Sequence, residues 1–245
     1  MKEKISVVVL AAGRGKRLKS QSQKVTTLLS GKPILCYLFE TIESISPDKI
    51  IVVVGHKKED VFSQLEGKEV LYAEQPDLLG TGDAVMQAGP LLQPCKGDVI
   101  ILCGDAPFIS KATLEGLIKT HRQESNSVTL LTCFIDSPTG YGRIKRDSGG
   151  RVEGIIEDLN ASEEEKSIKE INSGAYIFNA GELMEALGEL KRDELKGEYY
   201  LTDTVSILAD DGKRIGAYVT PNSEECIGIN TSEDLKKAEK ILKRR

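Results

Sequence analysis

The run Val7-Val8-Val9-Leu10-Ala11-Ala12 ends in Gly13-Arg14-Gly15-Lys16-Arg17, and Lys24 follows shortly after. A strand that opens into two glycines among three cations is suited to wrapping a polyphosphate. Glycine lets backbone N–H groups approach phosphate oxygens closely, and the cations offset the phosphate charge. Two familiar phosphate loops are excluded. Gly13-x-Gly15 is followed by Leu18 where the dinucleotide fingerprint needs a third glycine, and Lys32-Pro33-Ile34-Leu35 offers no strand ending in an acid. Leu10 stands where a P-loop needs its first glycine, and Arg17 where Ser or Thr would follow the lysine. What remains is a G-x-G-x-R loop with a lysine downstream. Taken alone, it also reads as an ordinary glycine turn with solvated basic residues.

A second apolar run, Asp98-Val99-Ile100-Ile101-Leu102-Cys103, ends in Gly104-Asp105. Ligands of open α/β sheets bind beyond the carboxyl ends of the strands, which puts Asp105 on the same edge as Ala12-Gly13. A carboxylate beside a phosphate loop suits Mg²⁺, a hard cation that favours oxygen ligands and substrate phosphates. A helix-capping aspartate is the plainer alternative. Asn230, closing Ile227-Gly228-Ile229, offers a neutral oxygen to the same cation. Gln75 and Leu79-Gly80-Thr81-Gly82 follow a third strand, and the Gln75 amide carries both a donor and an acceptor for a base edge. The segments around Gly142, Glu157, Asn172 and Gly197–Asp203 would bring neutral hydrogen-bonding groups to a sugar. Each is also explicable as a turn or cap.

These groups need a scaffold, and the first half supplies strand–helix alternation. Strands are predicted at Ile5–Ala11, Lys49–Val54, Glu69–Ala73 and Asp98–Cys103. The helices between and after them run from Pro33 to Ser44, Lys57 to Glu66, Gly80 to Leu92, and from a Ser110 cap to Glu124. Such alternation predicts a doubly wound, mostly parallel sheet with right-handed crossovers. The second half changes texture. Strands are predicted at Ser127–Ile135, Gly142–Arg146, Arg151–Glu157, Asn172–Asn179 and Arg214–Val219, and Ala161–Lys169 is a short helix or loop. Helices are expected over Gly181–Leu190, Tyr200–Asp211 and Ser232–Arg245. The chain reads as one domain, residues 1–245, with a nucleotide-binding half to about 125, a more antiparallel half over about 126–230, and a C-terminal helix over 231–245.

Composition narrows the function. The 245 residues are 40% hydrophobic and 29% charged, enough for an ordinary packed core. A net charge of −5 argues against a general nucleic-acid binder. No apolar run approaches membrane-spanning length, and the amino terminus has no A-x-A-like cleavage site. The cysteines at 36, 95, 103, 133 and 226 form no C-x-x-C and read mostly as buried reduced thiols, pointing to the cytoplasm. His56 and His121 have no metal-ligand spacing and are expected at the surface.

In order along the chain stand Leu10-Ala11-Ala12-Gly13-x-Gly15-x-Arg17, Lys24-Val25, Gly31-Lys32-Pro33, Gln75, Leu79-Gly80-Thr81-Gly82 and Gly104-Asp105-x-Pro107. They are followed by Tyr141-Gly142-Arg143, Glu157, Glu170-Ile171-Asn172-x-Gly174, Gly197-Glu198-Tyr199-Tyr200-x-Thr202-Asp203 and Gly228-x-Asn230. This series, running from about residue 5 to 242, resembles the sugar-1-phosphate nucleotidyltransferases. The Glu-Ile-Asn-x-Gly and Gly-Glu-Tyr-Tyr blocks resemble the N-acetylglucosamine-1-phosphate uridylyltransferase domains of bifunctional members. The resemblance implies a Rossmann-like, GT-A-like fold and Mg²⁺ as cofactor. It implies transfer of a uridylyl group from UTP to N-acetylglucosamine 1-phosphate. Leu10, Ala11, Ala12 and Gly13 would meet the nucleotide, and Arg17 and Lys24 its phosphates. Gln75, Gly80 and Thr81 would read the base, Asp105 and Asn230 hold the metal, and Gly104, Gly142, Glu157 and Asn172 hold the sugar. Two positions depart from the pattern: Cys103, where Tyr is frequent, and Asp83, where His is common. Bifunctional members continue into a trimerising β-helix that acetylates glucosamine 1-phosphate. No hexapeptide repeat is present in this sequence, so neither that activity nor that trimer is expected. Another sugar phosphate or base, or a non-catalytic sugar-nucleotide sensor, stays open. Retention of Arg17, Lys24, Asp105 and Asn230 argues against the sensor.

Overall fold

The computed structural model describes residues 4–15, 18, 23–93, 96–194 and 196–244. Strand β1 (Ile5–Leu10) runs into the glycine-rich loop, then a 3-10 turn (Lys24–Thr26) and a two-residue hairpin, β2 (Leu28–Leu29) and β3 (Lys32–Pro33). Next come α1 (Ile34–Ser44), β4 (Lys49–Val54), α2 (Lys58–Gln64), β5 (Leu71–Glu74), α3 (Thr81–Leu92), β6 (Asp98–Cys103) and α4 (Lys111–Gln123). The second half holds β7 (Val128–Phe134), β8 (Arg143–Arg146), β9 (Val152–Ile156), α5 (Glu163–Lys166), β10 (Glu170–Asn179), α6 (Ala180–Glu189), α7 (Asp203–Asp210), β11 (Ile215–Val219) and α8 (Ser232–Leu242).

One mixed sheet crosses the protein in the order β11-β7-β10-β6-β1-β4-β5, with β8 paired to β10 and β9 to β8. β1 lies between β4 and β6, parallel to both, with Val8 opposite Ile51 and Ile101. β10 runs antiparallel to β6 and β7, and so joins the parallel half to the second half. β11 closes the far edge parallel to β7. Successive β1 residues point to opposite faces. Val7 and Val9 pack with Leu38, Phe39, Leu114 and Leu117 of α1 and α4. Val8 packs with Val85, Leu183 and Val205 of α3, α6 and α7. Cover on both faces explains the unbroken apolar runs. A third cluster, with Leu29, Phe108, Ile229 and Ile241, seats α8.

The doubly wound, mostly parallel expectation holds, and differences are local. The β2–β3 hairpin is too short to leave a periodic signal, and Pro33 pairs with Leu28 within it, capping α1 from outside the first turn. Helix α7 starts at Asp203, not Tyr200, because the backbone of Tyr199 and Leu201 bonds to Leu79, Gly82 and Thr81 instead of to a helical turn. His56 is exposed as expected, but His121 is not. It is buried at 3% exposure, with Nδ1 on Thr129 Oγ1 (3.1 Å) and Nε2 facing Asp98 (3.6 Å). Cys36, Cys103, Cys133 and Cys226 are free thiols, the last two buried, and Cys95 lies outside the described residues. No helix among the described residues is long and apolar enough to cross a membrane.

Candidate active site

The carboxyl ends of β1 and β6 emerge side by side because Gly104 N–H donates to Leu10 O (3.0 Å). A side chain at Gly104 would meet that carbonyl at 3.0 Å and Val25 at 3.1 Å, tighter than most Cβ contacts, so glycine eases the close approach of the strand ends. The loop after β1 is held by Gln23, which is fully buried. Its Nε2 donates to the carbonyls of Ala11 and Gly13 (3.1 Å to the latter), and its Oε1 accepts from Val25 N–H (2.6 Å). Gln23 N–H donates to Asp60 Oδ2 (2.9 Å), anchoring the turn to α2. One amide thus ties the glycine loop to the turn that carries Lys24. Gly15 sits at φ +60°, and a Cβ there would lie 2.7 Å from Lys24 Cβ. Both facts demand glycine.

Lys24 Nζ donates to Asp105 Oδ2 and to Asn230 Oδ1 (2.7 Å to Asn230). Asn230 reaches this point from the far end of the chain because Ile229 N–H donates to the Asp105 carbonyl (2.9 Å). Its own Nδ2 donates to Gly228 O (3.3 Å), which leaves the amide oxygen turned to the ammonium. The capping box of α8 fixes the segment further: Asp234 Oδ2 accepts from the N–H groups of Asn230 (3.1 Å) and Thr231 (2.9 Å). A carboxylate and an amide oxygen therefore converge on one cationic nitrogen. Both are hard donors of the kind Mg²⁺ takes. Among the described residues no three His, Cys, Asp or Glu side chains cluster as a metal cage. A Mg²⁺ here would complete its shell with water and phosphate oxygens, its usual preference. The residues present fit that ion.

Beside this cluster opens a cleft of about 620 Å³. Leu10, Ala12, Gly13, Lys24, Gln75, Gly80, Thr81 and Asp105 all line it. Ala11 and Gly104 lie buried behind it, and Arg17 lies outside the described residues. Gly55 lets the wall close, since a Cβ there would meet Ala12, the Gln75 carbonyl and Leu78 at 3.0–3.2 Å. Gln75 spends both amide hydrogens inside the protein: Nε2 donates to Gly80 O (3.0 Å) and to Asp83 Oδ2 (2.6 Å). By sequence alone this amide can serve as donor and acceptor alike. The fold leaves the cleft its oxygen.

The second half seals the cleft through backbone bonds. Tyr199 N–H donates to Leu79 O (2.7 Å), Gly82 N–H to Tyr199 O (2.8 Å), and Leu201 N–H to Thr81 Oγ1 (3.1 Å). Gly80, at φ +102°, makes room for this seam. Glu198 and Tyr200 consequently line the cleft too, which motif spacing alone did not show. Gly142, Glu157 and Asn172 are not among the lining residues of this cleft. They form an adjoining group: Asn172 N–H donates to Gly142 O (2.9 Å), Asn172 Nδ2 to Tyr176 Oη (2.7 Å), and Thr202 Oγ1 to Glu157 Oε1 (3.0 Å). A bulge in β10 between Asn172 and Tyr176 brings Gly174 O to Cys103 Sγ (3.5 Å), joining this group to the cleft wall. Burial pushes the Cys103 thiol up to about 12, and the Tyr141 hydroxyl likewise to about 12 with help from Asp234 and other nearby anions. Both stay protonated at neutral pH. Burial also raises the Asp203 carboxyl, next to Glu157 and Asp193.

The arrangement can gather phosphate groups around one cationic centre beside a largely apolar pocket that also presents Gln75 and Thr81. Comparison with known proteins agrees. The family model described as "Nucleotidyl transferase" matches residues 6–225. The Bifunctional protein GlmU of Acetivibrio thermocellus is 44% identical over 243 residues, and that of Caldanaerobacter subterraneus subsp. tengcongensis 48% over 243. Each alignment covers 99% of this chain and 52% of the relative, so the chain spans about half the length of the curated relatives it matches. Among solved structures, a Bacillus anthracis protein assigned as a glucose-1-phosphate thymidylyltransferase, in complex with sucrose, superposes with a TM-score of 0.79 at 18% identity. The match covers 97% of this chain and 94% of that one, a likeness of fold. With the family model matching residues 6–225, and the glycine-rich loop and Asp105 on one sheet edge, the chain belongs to the nucleotidyl transferase family.

Proposed function

We propose that the chain transfers a uridylyl group from UTP to N-acetylglucosamine 1-phosphate, forming UDP-N-acetylglucosamine and pyrophosphate. The observation that carries this reading is the convergence of Asp105 and Asn230 oxygens on Lys24, in the same cleft as Gln75 and Gly80. The sugar and the base rest on the motif resemblance and on the GlmU relatives. In this reading an oxygen of the sugar phosphate attacks the α-phosphorus. The bond from that phosphorus to the bridging β-oxygen breaks, and pyrophosphate leaves with the electron pair. The nucleophile is already anionic, so positioning and charge neutralisation suffice without a general base. Asp105 and Asn230 would hold Mg²⁺, which supplies positive charge to the phosphate oxygens. Lys24 neutralises developing charge, and Arg17 is assigned the same task. Ala12 and Gly13 face the nucleotide through backbone, and Gln75, Gly80 and Thr81 form the base wall. Gly142, Glu157 and Asn172 take the sugar. We assign this activity to one domain with nucleotide and sugar halves, working in the cytoplasm.

Pyrophosphate release tests the reading. The protein with Mg²⁺, UTP and N-acetylglucosamine 1-phosphate should turn over, and EDTA should stop it. Lys24→Ala and Asp105→Ala should each lower kcat by about 10²–10³-fold, the scale of a lost preorganised charge. Near-parental rates in both variants would overturn the assignment. A faster reaction with another sugar phosphate would reassign the sugar while leaving the transfer chemistry intact.

A further inference from the structure

We infer that Asp83 is a positioning residue that sets base preference, by holding the Gln75 amide with its oxygen toward the cleft so that the site takes a pyrimidine bearing N3–H and rejects cytosine. The inference rests on the reading that this cleft binds a nucleoside triphosphate.

Gln75 and Asp83 are both buried, at 3% and 7% exposure. Asp83 stands in the first turn of α3, directly after the Gly80-Thr81-Gly82 wall. Its Oδ2 accepts from Gln75 Nε2 (2.6 Å), and its Oδ1 accepts from Gln87 Nε2 (3.0 Å). An ionised carboxylate only accepts, so it defines which end of each amide faces it. The second Gln75 hydrogen goes to the Gly80 carbonyl (3.0 Å), another pure acceptor. Turning the Gln75 amide over would set its oxygen against both of these acceptors and lose two hydrogen bonds, one of them charge-assisted. The Gln75 oxygen has no partner among the described residues and is the end of the amide left for a ligand in the cleft.

That oxygen can receive the N3–H of uracil or thymine. Cytosine carries a bare lone pair at N3, so two acceptors would meet. A site built around a hydrogen bond discriminates strongly against a base that cannot make it, because a buried polar group is then left unpaired. Asp83 thus reads the base without touching it.

Steady-state kinetics with UTP, CTP and N3-methyl-UTP test this, alongside calorimetric binding of the same three nucleotides. The parent protein should prefer UTP, with CTP and N3-methyl-UTP both poor. Asp83→Asn is nearly isosteric and can present an N–H to Gln75, which removes one of the two acceptors that hold the amide and lowers the cost of turning it. The UTP-to-CTP ratio of kcat/KM should then fall by about tenfold or more, mostly through KM for the nucleotide. A merely structural role would weaken both triphosphates alike and leave the ratio unchanged, and that result in a folded variant overturns the inference. If the variant does not fold, the parent protein still decides: N3-methyl-UTP used as well as UTP overturns it. If no triphosphate turns over, the proposed transfer fails, and the preference for UTP over CTP in binding still tests Asp83.

Discussion

At the scale of single residues, Gln23 and Asp83 resemble each other. Neither would touch the substrate itself, and each fixes a group that would: the Lys24 turn for Gln23, the Gln75 amide for Asp83. Gln23 joins two carbonyls of the glycine-rich loop to the Lys24 turn, and Asp83 holds the Gln75 amide. Their roles could not be read from the sequence, because each depends on backbone and amide groups that only the folded chain brings within reach. Lys24, Asp105 and Asn230 were legible, since each is a polar residue in a glycine-rich stretch at or just beyond an apolar run, where an α/β sheet binds its ligands. Gln23→Ala should leave the Val25 N–H and the Ala11 carbonyl without partners. We expect it to lower unfolding free energy by about 2–3 kcal/mol in urea titrations and to raise KM for the triphosphate. An unchanged KM would show that the loop holds its shape without this amide.

Among the elements, the strand–helix alternation of the first half was legible because both faces of the sheet are covered and the runs are long. Four pieces were not. The β2–β3 hairpin is too short, the Lys24–Thr26 and Ser223–Cys226 turns are single 3-10 turns, and the start of α7 is withheld by bonds to Thr81 and Gly82. The pivotal element is β10, which alone connects β6 to β7. Its Phe178 is fully buried, opposite Val99 on one side and Val128 on the other. Phe178→Ala should cost about 3–5 kcal/mol of stability, as for other large-to-small changes in a core. Equilibrium denaturation would measure it. A loss below about 1 kcal/mol would mean that the sheet does not depend on this junction for its stability.

Over the whole molecule, α4 is fastened to the amino-terminal edge of the sheet by a polar knot that composition did not announce. Arg122 Nε donates to Asp98 Oδ2 (2.8 Å), and buried His121 faces the other oxygen. Burial alone would push the Asp98 carboxyl up, but the facing His121 ring and the Arg122 hydrogen bond outweigh it and hold it below the usual aspartate value. A carboxyl with a lower value in the folded than in the unfolded chain adds stability above the unfolded value, about pH 4, and loses it as pH falls through the folded value. Asp98→Asn should therefore reduce stability at pH 7 and flatten its decline below about pH 4, read as melting temperature against pH. Parallel curves for parent and variant would exclude Asp98 as a source of acid sensitivity. The bond from Ile229 to Asp105 and the seam between Tyr199 and Gly82 also impose a schedule on biosynthesis. A nascent chain that has emerged to residue 125 already carries Lys24, Gln75 and Asp105, yet lacks the second oxygen for the ammonium and the N–H that pairs with Thr81. The cluster is completed only when Asn230 clears the ribosome, so no shorter nascent chain presents both oxygens to Lys24.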